Sequence, residues 1–333
     1  MSAARGPFVF GDRVQLTGSR NKRYTITLTP DGEFHTHRGV IPHHEIVGRN
    51  DASVLTTSGG EEFLAIRPLL ADFVMAMPRG AAIVYPKDAA QIVSQADIAP
   101  GLNIVEAGVG SGALTLHLLR AVSSAGTVHS IERRAEFAEI ASANVTAFYG
   151  GAAPNWQLSV GDFQDVLPAT TAPGSVDRVV LDMLAPWECV AAAATALVAG
   201  GVIISYVATV TQLSRFVETV RKTGQFTHPQ ASETMVRTWH VEGLAVRPDH
   251  RMVGHTGFLI TARKLSADTV LPELKRRASK SEYSAEDLEI WTPGMVRELH
   301  KSEKVLRKKV RDAQKFAAAR TAPAGSSNHN QSV

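Results

Sequence analysis

Residues 102–113, LNIVEAGVGSGA, constrain the fold of this chain more than any other segment. Residues 102–106 read as a buried strand. Three glycines follow at positions 108, 110 and 112, and residues 113–122 carry an apolar face at helical spacing. A strand that turns through glycines into a helix is the opening unit of an open α/β sheet. Glycine permits the tight turn and lets the backbone approach a bound group. The alternation continues downstream. Strands are expected at 127–131, 157–160 and 176–181, and helices at 135–148 and 187–198. Gly200 and Gly201 then read as a turn into a buried strand, 202–207. Upstream, Asp88 is placed to cap a helix running to Gln95, and Pro100-Gly101 to turn into the first strand. Such alternation predicts a parallel sheet covered by helices on both faces. Residues 235–246 and 254–263 break the pattern. Two strands with no helix between them predict an antiparallel hairpin that closes the sheet.

The flanks read differently. Residues 1–66 are expected to form a small N-terminal β domain. Within it, 24–29 alternate at strand period, Pro30, Asp31 and Gly32 make a turn, and 33–37 supply a candidate return strand. Residues 67–265 are then the α/β domain and 266–320 a basic, mainly helical extension. Residues 321–333 lack Asp, Glu, Lys and Arg and read as a disordered tail. Hydrophobic residues at 44% and charged residues at 20% exclude wholesale disorder, a collagen-like fibre and a coiled-coil rod. The single cysteine, Cys189, cannot form an internal disulfide and suits a reducing compartment, so a cytoplasmic location is expected. No apolar leader opens the sequence. The longest uncharged run, 189–214, is broken by a glycine pair and ends polar, so no membrane span is expected. The net charge of +3 is uneven: residues 271–320 hold 13 Lys and Arg against 8 Asp and Glu. That excess suits a polyanionic partner such as RNA, or simply keeps a helix soluble.

The glycine loop admits two ligands. Gly108-x-Gly110-x-x-Ala113 satisfies a dinucleotide fingerprint for NAD, whose third position tolerates alanine. With the acidic Glu106 ahead of it, the run through Gly112 fits the loop of S-adenosylmethionine enzymes instead. A purely structural glycine turn is the third option. Glu132 lies 20 residues beyond Gly112, at the end of the next strand, where a carboxylate accepts from both ribose hydroxyls. Asp162 follows the strand at 157–160 and is placed to accept from an adenine N6 amino group, with Phe163 beside it to flank the ring. The alternative is an Asp that caps the next segment. Asp182 ends the strand at 176–181, in the ligand crevice of an open α/β sheet, or else caps a helix that opens near Pro186. His35, His37, His43, His44 and Glu45 lack a standard zinc spacing, so no metal is expected. Trp187, Trp239 and Trp291 read as packing residues, and Cys189 as an inert core residue in an Ala-rich helix.

At these residues the chain resembles the tRNA (adenine-58-N1)-methyltransferases. The shared segments are Tyr85-Pro86-Lys87-Asp88, the loop from Glu106 to Gly112, Leu181-Asp182 with Pro186-Trp187, and 253–259, VGHTGFL. Ile41-Pro42-His43, Glu45-Ile46 and Gly48 extend the likeness to the N-terminal part. It covers 8–264 and leaves out the extension. The resemblance implies a seven-stranded, Rossmann-like class I methyltransferase domain, a homotetramer, S-adenosylmethionine as cofactor and tRNA as substrate. It implies cofactor contacts from Ser111, Gly112, Ala113, Leu114 and Glu132 and around Asp162, a catalytic Asp182, and a Tyr85 that holds the target adenine. Glu106, Gly108, Gly110, Phe137, Phe163 and Asp182 complete the candidate cofactor site. Tyr85, His255 and Thr256 make up the candidate substrate site. For Tyr85 the alternative is a core aromatic before a Pro-led helix. For His255 and Thr256 it is the satisfaction of buried backbone groups. Another methyl acceptor, such as a protein isoaspartyl group or a small metabolite, is the competing activity. An NAD-dependent oxidoreductase and a non-catalytic RNA-binding module are the competing classes.

Overall fold

The computed structural model describes residues 6–272 and 303–321. The chain divides into two compact units. One gathers the residues up to Gly80, Glu139–Ala153 and those from Leu306 onward; the other comprises Ala81–Ala138 and Pro154–Val305.

The first unit opens with β1 (Arg13–Gly18), β2 (Arg23–Thr27), β3 (Glu33–Thr36), β4 (Gly39–Pro42), the single-turn helix α1 (His43–Ile46), β5 (Ser53–Thr56), β6 (Glu62–Ile66) and α2 (Leu70–Ala76). Four strands form an antiparallel sheet in the order β2-β1-β6-β5, and β3 pairs with β4 alone. Phe8, Val14, Leu16, Phe34 and Phe63 belong to its core. The Phe34 ring meets those of Tyr24 and Phe63 edge-on, at 5.2 and 5.3 Å. The return strand expected at 33–37 does not pair with 24–29. Thr29 N donates to His43 Nδ1 at 3.1 Å and His43 N to Gly32 O at 2.8 Å, so the turn at Pro30 closes against α1. Gly39, at φ +112°, folds β4 back onto β3 instead.

The second unit carries α3 (Pro86–Gln95), β7 (Asn103–Ala107), α4 (Ala113–Val122), β8 (Thr127–Glu132), α5 (Ala135–Tyr149), β9 (Trp156–Val160), α6 (Phe163–Thr170), β10 (Val176–Asp182), α7 (Val190–Ala196), β11 (Leu197–Val207), α8 (Val210–Thr223), β12 (Gln230–Glu233), β13 (Trp239–Glu242), β14 (Ala245–Pro248) and β15 (Phe258–Arg263). Of α5, the residues from Glu139 count with the first unit. Seven strands form one sheet in the order β12-β15-β11-β10-β7-β8-β9, parallel except where β15 runs between its neighbours. Val179, Val180 and Leu181 on β10 and Ile203 and Ile204 on β11 are buried, as central strands covered on both faces require. The chain runs outward from β7 through β8 and β9, then returns to lay β10 on the other side of β7. Such a reversal opens a crevice at the carboxyl ends of the strands. The glycine loop leaves one of those ends and Asp182 is the other.

Several expectations for this unit are corrected. Residues 235–246 do not pair with 254–263. β15 begins only at Phe258, after Gly257, where a Cβ would come within 2.4 Å of the Tyr206 ring, and its outer partner is β12. Residues 239–248 fold locally as the ribbon β13–β14, around a turn with Gly243 at φ +52°, a closure of low loop entropy. Trp239 is exposed on that ribbon rather than packed, and Trp291 lies outside the described residues. The helix expected at 187–198 is a 3₁₀ turn, Pro186–Cys189, followed by α7. Gly200 and Gly201 lie inside β11, not before it. The register against β10 shifts between Val176 and Arg178, and Gly200 at φ +82° absorbs the irregularity. Cys189 therefore sits in the 3₁₀ turn, where burial pushes its thiol up to about 12 and leaves it unreactive. Finally, Asp88 does not cap α3. The helix starts at Pro86, with Tyr85 as its cap residue.

The last described element is α9 (Glu303–Thr321). Val310, Ala313 and Ala317 are buried on one side of it. Phe316 stacks on Phe73 at 5.8 Å, and the Arg13 guanidinium lies 4.0 Å from the Phe73 ring and 4.5 Å from that of Phe316. Arg13 also donates to Ala147 O at 2.6 Å. The remainder of the basic extension, 273–302, and the tail beyond Thr321 lie outside the described residues. Among the described residues no helix is long and apolar enough to cross a membrane.

Candidate active site

A buried carboxylate supports the glycine loop. Glu106 on β7 is inaccessible to solvent, and its Oε2 accepts from Thr115 Oγ1 on α4 at 2.7 Å and Ser130 Oγ on β8 at 2.6 Å. Ser130 Oγ in turn accepts from Trp156 Nε1 at 2.9 Å. One side chain thus ties the first two parallel strands to the first helix. Its Oε1 has no partner. Burial pushes the Glu106 carboxyl up to about 7, against the two hydroxyl donors, with the charge of Glu132 adding to the rise.

The loop above it is fixed by its backbone. Gly108 has φ +84°, and a Cβ there would fall 1.7 Å from the carbonyl oxygen of Asp182. This is where the ends of β7 and β10 meet, and no side chain fits between them. At Gly110, φ +56°, a Cβ would sit in ordinary contact with Ala81, 3.9 Å away, so the backbone angle rather than crowding calls for glycine. Gly110 N donates to Glu132 Oε2 at 3.0 Å and Arg134 N to Oε1 at 3.1 Å. Each Glu132 oxygen can accept a further donor. Ser111, Ala113 and Leu114 are buried, and Gly112 opens α4 as its cap residue.

Asp182 is half-buried at the end of β10. Loss of solvation, then the charges of Glu106 and Glu132, push its carboxyl up to about 7. The glycine loop joins the neighbourhoods of these acids: Gly108 lies against the Asp182 carbonyl and Gly110 N donates to Glu132. Asp182 does not cap the following turn, whose cap residue is Ala185. Asp162 precedes α6 without a capping hydrogen bond and pairs with Arg133 Nε instead. The two phenylalanines are not brought to an open face. Phe163 is buried in the core with Val105, Ile131 and Leu167, and Phe137 is buried with the Arg134 guanidinium 3.9 Å from its ring centre. Tyr85 is 38% exposed, so it is no core aromatic.

A polar cluster adjoins Tyr85, in which the candidate substrate residue Thr256 meets Lys87, Asp88 and Tyr206, three residues not named as site residues from the sequence. Asp88 is only 1% exposed and accepts from Lys87 Nζ and Thr256 Oγ1, each at 2.7 Å, and from the Tyr206 hydroxyl at 3.4 Å. Lys87 Nζ also donates to Thr256 Oγ1 at 2.7 Å and to Thr234 O at 2.6 Å, which engages all three of its protons. Burial raises the Tyr206 phenol, and the charges of both Asp88 and Asp182 contribute. Tyr206 stands in register with Asp182 on the neighbouring strand while its hydroxyl reaches Asp88, which links this cluster to the end of β10. His255 bonds Glu233 Oε1 and Ala208 O, at 2.5 and 2.8 Å. A charged pair in the first turn of a Pro-led helix was the available signal for Lys87 and Asp88. Tyr206 carried none, since β11 reads as a uniformly buried strand.

This donor set discriminates between the two ligands of the loop. Two acids at the loop, Glu106 bonded to α4 and Glu132 holding the Gly110 N–H, disfavour a pyrophosphate. They suit a sulfonium cation whose ribose offers two hydroxyl donors, and the unpaired Glu106 Oε1 and the spare acceptor capacity of Glu132 fit S-adenosylmethionine. Sheet order, glycine loop and strand-end acids together define a class I S-adenosylmethionine-dependent methyltransferase. Residues 6–55 match the TrmI-like N-terminal family, and residues 64–246 match the tRNA methyltransferase complex GCD14 subunit family. The chain belongs to this family of tRNA methyltransferases. It is 33% identical to the tRNA (adenine(58)-N(1))-methyltransferase TrmI of Thermus thermophilus, over 79% of this chain and 98% of that one. It is 31% identical to the tRNA (adenine(57)-N(1)/adenine(58)-N(1))-methyltransferase TrmI of Methanocaldococcus jannaschii, over 74% of this chain and 93% of that one. Among solved structures, a SAM-dependent O-methyltransferase from Thermotoga maritima superposes with a TM-score of 0.73 at 30% identity, covering 79% of this chain and 96% of that one.

Proposed function

We propose that this protein methylates N1 of adenine 58 in the T-loop of tRNA, with Asp182 as the residue that engages the base. The observation that carries the reading is a carboxylate at the switch point, end to end with the glycine loop and raised to about 7 by its surroundings. Glu132, Glu106 and the backbone of 108–114 hold S-adenosylmethionine, which supplies an electrophilic methyl group on sulfur. Adenine N1 attacks the methyl carbon with a lone pair as the carbon–sulfur bond breaks and S-adenosylhomocysteine leaves as a neutral thioether, so no base is needed to free N1. As positive charge develops on the ring, the N6 amino group becomes more acidic. A carboxylate accepting from N6 then binds the transition state more tightly than the ground state, which is the condition for catalysis. Asp182 in its ionised form provides that acceptor, and a carboxyl titrating near neutrality is also matched to take the N6 proton. The target base must leave its stack to reach the crevice, and the exposed Tyr85 ring offers it a flat face. Thr256, held by Lys87 and Asp88, is the second substrate residue of this reading. The reading includes a cytoplasmic protein and the homotetramer implied by the resemblance.

The test is incubation with labelled S-adenosylmethionine and an unmodified tRNA transcript, followed by digestion to nucleosides. Label in N1-methyladenosine is the expected result. Label in protein, in a small molecule or in a different nucleoside overturns the assignment.

A further inference from the structure

The helix α9 lies beyond the part of the chain on which the family likeness rests, and its two faces are chemically opposite. Val310, Ala313 and Ala317 are buried, and Phe316 stacks on Phe73 beside the Arg13 guanidinium. On the other side Lys304, Lys308, Arg311 and Lys315 are exposed, at spacings of four, three and four residues. That spacing puts them in one line along the helix, directly opposite the buried face. No acid falls within the line. Over the whole helix 7 Lys and Arg face 2 Asp and Glu, Glu303 and Asp312.

We infer that this docked helix presents its basic line to the phosphate backbone of the tRNA, through residues that the candidate active site does not include. A face that served only solubility would alternate charges, because like charges three and four residues apart weaken a helix while opposite ones support it. Here the four like charges follow one another, with Asp312 beside the line as the one acid at four residues from Lys308 and three from Lys315, and the helix is held by its apolar side. An anionic partner offsets their repulsion. The line spans about 16 Å, long enough to meet several phosphates of one strand. Lysine and arginine at this density bind a polyanion mainly through release of its counterions, without reading sequence. The inference rests on the tRNA reading above.

The experiment replaces Lys304→Gln, Lys308→Gln, Arg311→Gln and Lys315→Gln together, and Lys308→Gln with Arg311→Gln as a pair. Glutamine keeps helix propensity and removes only charge. Affinity for an unmodified tRNA transcript is measured over a range of salt, beside affinity for S-adenosylhomocysteine and the melting temperature. The fourfold variant is expected to bind tRNA about tenfold or more weakly at low salt. Its slope of log affinity against log salt should be shallower by about 2–3, and the paired variant's by about half of that. Cofactor affinity and melting temperature should not change. If the wild type methylates tRNA while the fourfold variant, equally stable, keeps affinity and slope, the contact is overturned and the proposed function stands. Loss of binding to anionic lipid vesicles with tRNA binding retained overturns it in favour of a membrane surface. A wild type with no affinity for tRNA overturns the contact and the function together.

Discussion

Asp182 serves two demands that oppose each other. The proposed reaction asks for an ionised Asp182 carboxylate, and folding disfavours that charge. Its pKa rises from 3.8 to about 7 in the folded protein, chiefly through lost solvation. Between those values the folded state holds a proton that the unfolded chain has released. Stability therefore falls as pH rises through that window and stays lower above it. Asp182→Asn removes the penalty. In the absence of cofactor the variant should be more stable than wild type by about 1–3 kcal/mol near pH 8, with the difference nearly gone near pH 4. Thermal melts at the two pH values check this, and an equal shift at both would point to repacking rather than charge. Glu132 and Asp182 were legible as acids that end strands, and Glu106 as the acid ahead of the glycine loop. Asp88 with Thr256 was not, since the partners are 168 residues apart and only the fold brings them together.

At the scale of elements, the join between β7 and β10 is the most exacting feature. Gly108→Ala would drive a Cβ to within 1.7 Å of the Asp182 carbonyl at φ +84°. Gly174 has a similar backbone, φ +62°, but nothing within 4 Å. Gly108→Ala should destabilise by about 3 kcal/mol or more and abolish activity by displacing Asp182, whereas Gly174→Ala should cost about 1–2 kcal/mol, for left-handed strain alone. Urea titrations of the two variants separate close approach from φ, and equal losses would remove the special role of Gly108. Elements with a clear period were readable: residues 113–122 are α4 to the residue. The failures share a cause. Pairing at the sheet edge and the slip at Gly200 depend on what a neighbouring strand offers, and a linear pattern carries no record of its neighbour.

For the whole molecule, the sequence pattern announced a mostly parallel α/β sheet because alternating strands and helices bury both faces of a sheet in only a few ways. The division of the chain was less legible. Residues 139–153 and the helix from Leu306 count with the N-terminal β strands, far away in sequence. Chemistry concentrates in the other unit, where every candidate residue from Tyr85 to Thr256 lies. The central claim is that Asp182 acts on the adenine and not on the cofactor. Its most direct test is N1-methyladenosine formation by Asp182→Ala at saturating tRNA and S-adenosylmethionine, with S-adenosylhomocysteine affinity measured on the same preparation. The account predicts that kcat falls about 10²–10³-fold while that affinity stays within about twofold of wild type. An unchanged kcat, or a loss of cofactor affinity in step with it, contradicts the account.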